Sequence, residues 1–167
     1  NDMVKNVLQN VTIRDILEAI NKKYGNKTAL RIKNEDGSFR EISFVKLGRR
    51  VVSISSVLIK LGIQKLDRVA IFSENRPEWA AAYFGIISCG GVILPLDVKL
   101  TDAEVLFIMN DSQAKCIFVS GGYIETIDRL RGSLTHLENI ILFDKSPRTD
   151  VIQLNKLRPH RGKERAR

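Results

Sequence analysis

The chain has 167 residues, of which 44% are hydrophobic and 28% charged, and its formal net charge is +8. This length and composition predict a soluble globular protein with its own core. They exclude a membrane-spanning helix, because no apolar run reaches the roughly 20 residues that one requires. The first residues also lack the apolar region of a signal peptide, so we expect a cytoplasmic protein.

The first 62 residues predict a helix, a β-hairpin and a long helix. Thr12 and Asp15 have the spacing of a capping box, and Gly25 follows the last apolar residue of the stripe, so a helix is expected between them. Two strand-like segments, 29–32 and 39–42, flank an Asn-Glu-Asp-Gly turn and predict a hairpin.

A long helix is expected directly after the hairpin. Ser43 is a capping residue, and apolar residues then recur every three or four positions from Phe44 to Leu61. Many residues here are β-branched, but the helical period favours a helix over a strand. Gly62 ends the helix and a short linker follows it.

Four short apolar segments then follow at nearly equal spacing, at 69–72, 92–95, 116–119 and 140–143. Helical patterns lie between them. This alternation is typical of βα units with a buried, mostly parallel sheet. We therefore predict an α/β fold in which residues 67–144 form a parallel unit and residues 1–62 precede it.

The helices of this unit have recognisable starts. Pro77 opens a helix that extends to Cys89 and is apolar around most of its circumference, so we expect it to be buried on more than one side. Thr101 and Glu104 form a capping box at the start of the next helix. A weaker helix is expected after the third strand, ending near Arg131.

The positive charge is concentrated at the end of the chain. Residues 145–167 contain eight Lys or Arg and two acids, so this segment carries +6 of the net charge. It lacks apolar periodicity and has no interleaved aromatic residues on which bases could stack. We predict a disordered basic tail and no specific nucleic-acid partner. The alternative is salt-dependent nucleic-acid binding that disappears when residues 145–167 are deleted.

Two polar segments follow predicted strands and are candidate ligand sites. Ser73 to Pro77 follows the first strand, and Ser120-Gly121-Gly122 follows the third. Ligands tend to bind at the carboxyl ends of strands in open α/β sheets, and a glycine-rich turn can hold a phosphate. Neither segment matches a nucleotide-binding motif. We therefore favour helix capping for the first segment and a plain turn for the second.

Other candidate residues predict structure rather than chemistry. Cys89-Gly90-Gly91 is typical of a helix C-cap and a sharp turn into a strand. Cys89 and Cys116 lie in apolar segments without CxxC spacing, which favours core thiols in a reducing compartment. Asp97 and Asp102 could face one loop, but paired-carboxylate chemistry requires a geometry that spacing does not establish.

The two histidines have no partners at metal-binding spacing. His136 and His160 are far apart in the chain, and neither has a Cys, His or Glu at the separation that a zinc site requires. No Ser lies in a nucleophile-elbow pattern. We therefore assign no catalytic, cofactor-binding or metal-binding residue to this chain.

Three runs in the chain are informative together, at residues 67–71 (DRVAI), 74–79 (ENRPEW) and 90–96 (GGVILPL). They resemble the AMP-forming acyl-CoA synthetases of the adenylate-forming superfamily. The order and spacing of the runs agree with that family over roughly residues 10–144, and the Asn-Arg-Pro-Glu-Trp form is most similar to the long-chain fatty-acid members. Phe44 and Lys46 depart from the family's Tyr and Glu.

The resemblance implies a partial N-terminal domain of an adenylate-forming enzyme. The parent reaction would use ATP, Mg and coenzyme A to activate a carboxylate, which we expect to be a fatty acid, and to transfer its acyl group. The family's phosphate-binding loop, its adenine and ribose motifs, its hinge acid and its catalytic Lys do not occur in this sequence. We therefore expect this chain alone to be inactive and to need no cofactor, as a truncated product, a split gene or an expressed fragment.

Two alternatives to a ligase fragment stay open. One is a non-catalytic interaction module, which would form a homodimer through surfaces that a full enzyme buries. The other is a flavodoxin-like small-ligand binder, which would retain a nucleotide or flavin. Oligomeric state and absorbance of the purified protein distinguish them.

Overall fold

The computed structural model describes residues 11–34 and 36–156. These residues form an α/β fold with an antiparallel hairpin, a parallel sheet and helices on both faces of that sheet. The predicted α/β class is confirmed. The elements follow one another along the chain in the predicted order, and most of their bounds lie within one residue of the expected ones.

The first helix and the hairpin form from local signals. Helix α1 (Ile13–Tyr24) begins at Thr12, whose side chain accepts from the Asp15 amide while Asp15 accepts from the Thr12 amide, and it ends at Gly25. Strands β1 (Thr28–Lys33) and β2 (Phe39–Ser43) then pair antiparallel. The capping box and the hairpin are therefore confirmed.

Helix α2 (Phe44–Lys60) is capped by Ser43, whose hydroxyl accepts from the Lys46 amide at 3.3 Å. The apolar stripe along the helix contributes Leu47, Val51, Ile54 and Leu58 to the core. Burial of this stripe, rather than the propensity of its β-branched residues, stabilises the helix.

The parallel sheet contains five strands among the described residues. They are β3 (Arg68–Phe72), β4 (Val92–Leu96), β5 (Cys116–Val119), β6 (Asn139–Leu142) and β7 (Ile152–Gln153), in the spatial order β4-β3-β5-β6-β7. Every pair in the order is parallel. Pro95 lies in β4, the edge strand, where a missing amide is tolerated.

The two faces of the sheet are covered by different helices. On β3, Val69 and Ile71 face the core shared with α2 and α3 (Pro77–Ser88), whereas Ala70 and Phe72 face the core shared with α4 (Asp102–Asp111) and α5 (Ile124–Leu130). This alternation follows from the two-residue period of a strand. The result is a three-layer arrangement, helix on sheet on helix.

The prediction of disorder from residue 145 onward is wrong for residues 145–156. Ile152 and Gln153 form β7 and pair in parallel with β6. The Gln153 side chain is buried, and its Nε2 donates to the carbonyls of Ser146 and Arg148 at 2.6 and 3.0 Å. A two-residue strand is too short to show a period in the sequence, which is why pattern analysis missed it. Residues 157–167 lie outside the described residues.

Arg148, one of the cations of this segment, is paired locally. Arg148 pairs with Asp128, its Nη2 lying 2.9 Å from Oδ1, and it also pairs with Asp150. The Arg148 guanidinium, together with Arg131, holds the pKa of Asp150 well below its usual range. These contacts tie the loop before β7 to helix α5.

Candidate functional site

The strand order places a topological switch point between β3 and β5. The chain passes from β3 to β4 on one side and then crosses to β5 on the other. In open α/β sheets, the crevice at the carboxyl ends of such strands is the usual place for a ligand. In this protein Ser73 and Glu74 follow β3, Ser120 and Gly121 follow β5, and Asp144 lies just beyond β6. These residues form the candidate site.

The site is built around an ion pair between Arg76 and Asp144. Arg76 Nη2 donates to Asp144 Oδ1 at 2.8 Å, and Nη1 donates to Oδ2 at 3.0 Å. The Gly121 amide donates to the same Oδ2 at 2.7 Å. The Asp144 carboxylate is therefore held on both oxygens, in the bidentate geometry that a guanidinium prefers.

Two further carboxylates surround the same guanidinium. Glu78 Oε2 accepts from Arg76 Nε at 3.0 Å, and Glu74 Oε1 accepts from Arg76 Nη1 at 3.3 Å. The Ser120 hydroxyl donates to Glu74 Oε2 at 2.6 Å, which links the ends of β3 and β5. We call Glu74, Arg76, Glu78, Ser120 and Asp144 the switch-point network.

The protonation states in this network follow from its contacts. Burial raises the pKa of Asp144, but hydrogen bonds from Arg76 and the Gly121 amide outweigh it, so the pKa lies below the usual range. Burial likewise opposes ionisation of Glu78, and Arg76 again lowers its pKa. Burial lowers the pKa of Arg76, but its hydrogen bonds to Asp144 and Glu78 raise it above the usual value. All three groups are charged at neutral pH.

This arrangement places an internal anion where a ligand phosphate would bind. A backbone amide at the start of a helical turn and a guanidinium are the groups that hold phosphates in proteins. Here the Gly121 amide and Arg76 are both bonded to Asp144. A phosphate at this position would meet three carboxylates, so the network supports structure and does not fit a phosphate.

The capping role predicted for Ser73 to Pro77 is wrong. Arg76 is the N-cap residue of α3, and within the described part of the chain no side chain caps this helix. Pro77 at the first helical position lacks an amide hydrogen, which reduces the number of donors that need a cap. The polar side chains of this segment enter the switch-point network instead.

The turn predicted at Ser120 to Gly122 is present, but it does more than reverse the chain. Gly121–Tyr123 form a 3₁₀ turn that leads into α5. The Gly121 amide donates to Asp144, and the hydroxyl of Ser120, the residue before the turn, donates to Glu74. The turn is therefore an anion site that is satisfied within the protein.

The cysteine segment has the structural role that the sequence predicts. Cys89 is the C-cap residue of α3, and Gly90 has a φ of 84°, which favours glycine. Burial raises the pKa of the Cys89 thiol and of the fully buried Cys116 thiol. Both cysteines are free thiols that stay protonated and therefore react weakly.

The two aspartates suggested for a shared loop have separate partners. Asp97 accepts from the Lys99 amide at 2.9 Å, and Asp102 makes a bidentate pair with Arg129 at 2.9 and 3.1 Å. They do not form a paired-carboxylate centre.

Within the described ranges we find neither a cluster of metal ligands nor a helix of membrane-spanning length. His136 is exposed, and His160 lies outside those ranges. Across residues 11–34 and 36–156, no group of three or more His, Cys, Asp or Glu side chains could hold a metal ion. Among the helices described there, none has both the length and the apolar character needed to cross a membrane.

Sequence reasoning missed Asp144 as part of the site. Its signal was its position, because it follows the fourth apolar segment just as Glu74 and Ser120 follow the first and third. Parallel strands end at the same edge of a sheet, so polar residues after successive strands become neighbours. The pairing of Arg76 with Asp144 joins residues 68 positions apart.

Comparison with known proteins gives one consistent family. A model of the AMP-binding enzyme family matches residues 17–165. The crotonobetaine/carnitine–CoA ligase of Salmonella paratyphi A is 28% identical over 144 residues, covering 85% of this chain and 28% of the relative. The Citrobacter koseri enzyme of the same name is 30% identical over 111 residues, covering 66% and 22%. The chain thus spans about a quarter of the length of these relatives.

Solved structures agree with this family. The anthranilate CoA ligase AuaEII, determined in complex with anthranoyl-AMP, superposes with a TM-score of 0.79 at 26% identity and covers 87% of this chain and 27% of that one. A long-chain-fatty-acid CoA ligase from Rhodopseudomonas palustris CGA009, described as putative, gives a TM-score of 0.79 at 20% identity, covering 90% and 37%. The second likeness shows the fold alone.

Proposed function

Because the chain belongs to the AMP-binding enzyme family, as an N-terminal fragment of an AMP-forming acyl-CoA synthetase, we propose that it contributes the first part of a carboxylate–CoA ligase. The observation that carries this proposal is the family match over residues 17–165, together with the fold shared with anthranilate CoA ligase. In the complete enzyme, a carboxylate oxygen would attack the α-phosphorus of ATP and release pyrophosphate. The thiol sulfur of CoA would then attack the acyl carbon and release AMP.

Within such an enzyme, the described residues serve as scaffold. The switch-point network has its own charge balance, since the guanidinium of Arg76 already faces three carboxylates. ATP and the acyl-adenylate need cations and amides directed at their phosphate groups. In the network, Arg76 and the Gly121 amide are already bonded to Asp144, and we therefore propose that the isolated chain does not catalyse adenylation. ATP, Mg and CoA would be bound by other parts of the full enzyme.

The proposed acyl substrate is a fatty acid. The support for it is the Asn75-Arg76-Pro77-Glu78-Trp79 run, whose form is similar to that of long-chain fatty-acid members. The named relatives include ligases for crotonobetaine or carnitine and for anthranilate, which are smaller acids. A cytoplasmic location belongs to the same proposal, because a reducing compartment keeps Cys89 and Cys116 as thiols.

ATP–pyrophosphate exchange tests the proposal. The homogeneous 167-residue chain is assayed with carnitine, anthranilate and a series of fatty acids, with a complete crotonobetaine/carnitine–CoA ligase as the positive control. We expect no exchange above the no-protein background from this chain. Exchange by homogeneous protein would contradict the inactivity.

The ligase assignment has a separate test in the gene. We expect the DNA downstream of codon 167 to encode a glycine-rich phosphate loop and a C-terminal catalytic Lys, and the longer product to exchange pyrophosphate with fatty acids. A longer product that is inactive with every acid, although it contains those motifs and is folded, would contradict the assignment. Exchange with anthranilate but not with fatty acids would support the ligase assignment and contradict the fatty-acid substrate.

A further inference from the structure

A cleft of about 420 Å³ lies beside the switch-point network, on the face of the sheet that α2 and α3 cover. It is bounded by the first half of α2, the start of α3, and the 3₁₀ turn Leu154–Lys156 that follows β7. The turn belongs to the segment that sequence analysis expected to be disordered. The cleft therefore exists only because that segment is ordered.

The wall that α2 contributes is strongly basic. Lys46, Arg49 and Arg50 line the cleft at the three- and four-residue spacing that places them on one side of a helix. Within residues 11–34 and 36–156, neither Lys46 nor Arg49 lies within ion-pair distance of a carboxylate. The acid that lines the cleft is Glu78.

Glu78 cannot balance these cations, because it is shared. Its Oε2 is bonded to Arg76, while its Oε1 lies 3.5 Å from both Arg40 Nη2 and Arg50 Nη1. Despite this contact, Arg50 Nη1, which is buried, makes no hydrogen bond with any described residue. The guanidinium charge of Arg50 is therefore only weakly compensated by the shared Glu78, and an anion in the cleft would complement it.

The remaining lining is apolar. Ile54, Phe143 and Leu154 form the inner part of the cleft, next to the basic wall. Ile54 and Phe143 are already buried, at 1% and 5% exposure, whereas Leu154 is partly exposed. A ligand with an apolar body would cover Leu154, and a free inorganic anion would not.

We propose that this cleft binds an amphiphilic anion. Its carboxylate or phosphate head would contact the exposed cations Lys46 and Arg49, its charge would complement the Arg50 guanidinium, and its apolar body would lie against Leu154. The site is separate from the Asp144 end of the network, and the proposal does not depend on the ligase assignment.

Calorimetric titration of the full 167-residue chain tests the proposal with four probes: hexanoate, hexyl phosphate, inorganic phosphate and hexanol. We expect saturable binding of hexanoate, hexyl phosphate or both, at an affinity at least about tenfold above that of inorganic phosphate and hexanol. Whichever of hexanoate and hexyl phosphate binds more tightly identifies the preferred head group. Equal binding of hexanol, or no saturable binding of either amphiphilic anion, would overturn the proposal.

Matched variants locate the binding. Lys46→Ala combined with Arg49→Ala is expected to weaken binding by about tenfold or more, since charge-assisted contacts are lost. Both side chains are exposed, so the double variant should retain its thermal midpoint. Lys60→Ala removes an exposed cation from the last turn of the same helix and should leave the affinity unchanged. An equal loss in both variants would show general charge attraction and contradict a site in the cleft.

Discussion

Arg76 illustrates how one side chain can hold two strand ends and a helix together. Its guanidinium reaches Glu74 after β3, Glu78 in α3 and Asp144 after β6. The Arg76 side chain is 19% exposed and that of Glu78 is 11% exposed, so these charges are only partly screened by water. The cation therefore offsets the burial that by itself would raise the pKa of Asp144 and of Glu78.

Replacing Arg76 with Met tests this role. The variant keeps the packing against Phe143, whose ring centroid lies 5.5 Å from the guanidinium carbon, but it leaves Asp144 without its cation. Glu78 keeps its longer contacts with Arg40 and Arg50. We expect the free energy of unfolding at pH 7 to fall by about 2 kcal/mol, after allowing for partial exposure. Urea unfolding measures the change. Arg14→Met, in an exposed pair with Glu18, should change stability by less than about 0.5 kcal/mol.

The pH dependence of Arg76→Met gives a sharper test. In the wild-type protein, Asp144 and Glu78 have lowered pKa values in the folded state, so their stabilisation is present above the unfolded values near 4 and is lost as pH falls. In the variant, burial dominates at Asp144, so protonation of Asp144 should relieve the folded state. Unfolding measured from pH 7 to pH 3 should therefore show a smaller loss of stability than in the wild type, whose loss begins as pH falls below about 4. Parallel curves would contradict the network.

Helices α2 and α3 approach closely at Gly85. A Cβ at this position would lie 2.5 Å from Ile54 Cγ2 and 2.8 Å from Ile54 Cβ. Both residues are buried, so neither helix can move away without opening the core. The glycine is thus required by contact between the two helices, although it lies in the middle of a helix.

We expect Gly85→Ala to destabilise the protein by about 1–3 kcal/mol, the usual cost of an overpacked core. Gly132→Ala is the control, because an added Cβ there meets nothing within 4 Å. Thermal unfolding of both variants measures the difference. If Gly85→Ala is neutral or stabilising, the close approach of α2 and α3 is wrong.

Strand β7 depends on one buried amide. Gln153 is 3% exposed, and its side chain bonds the backbone of Ser146 and Arg148 with both its donor and its acceptor. These bonds close the loop between β6 and β7. They also hold Leu154 in place at the cleft.

Replacing Gln153 with Ala should lower stability by about 1–3 kcal/mol, because backbone groups lose their partners in a buried position. It should also weaken ligand binding in the cleft, since the turn that carries Leu154 would loosen. Lys156→Ala, an exposed change in the same turn, should affect neither quantity. Hydrogen exchange at residues 145–156 follows the local effect. Unchanged protection and stability in Gln153→Ala would contradict the dependence of β7 on this side chain.

At the scale of the whole molecule, the described residues expose several large apolar side chains. Val52 and Ile59 on α2 are 58% and 59% exposed, and Phe107 on α4 is 69% exposed. Val52 and Ile59 line a groove between α1 and α2. Apolar residues that extend along a groove, rather than being scattered singly, are typical of a surface that another protein element covers.

We propose that the chain self-associates through this groove, as a homodimer. Sedimentation velocity over a concentration series should show a mass that increases with concentration. The combination Val52→Lys and Ile59→Lys should shift the protein to monomer by charge repulsion, whereas Phe107→Lys on the other side of the sheet should not. A monomer at every concentration, without binding of a hydrophobic dye, would contradict the proposal.

The sequence by itself determined the elements and the family. The capping boxes at Thr12 and Thr101, the helical stripe of α2 and the apolar segments of the sheet depend on residues a few positions apart, so a local pattern contains them. The same holds for the runs that resemble acyl-CoA synthetases, because their order along the chain is itself a sequence property.

Only the tertiary structure decided how the polar groups pair. The bond between Arg76 and Asp144 spans 68 positions and depends on β6 lying next to β5, which no local period specifies. The order of β7 likewise depends on the β6 edge and on one buried glutamine. The basic cleft combines two distant parts of the chain, since α2 supplies its cations and the turn after β7 closes it. Long-range charge pairing and edge-strand addition arise from the strand order, and for that reason they became visible only in the folded chain.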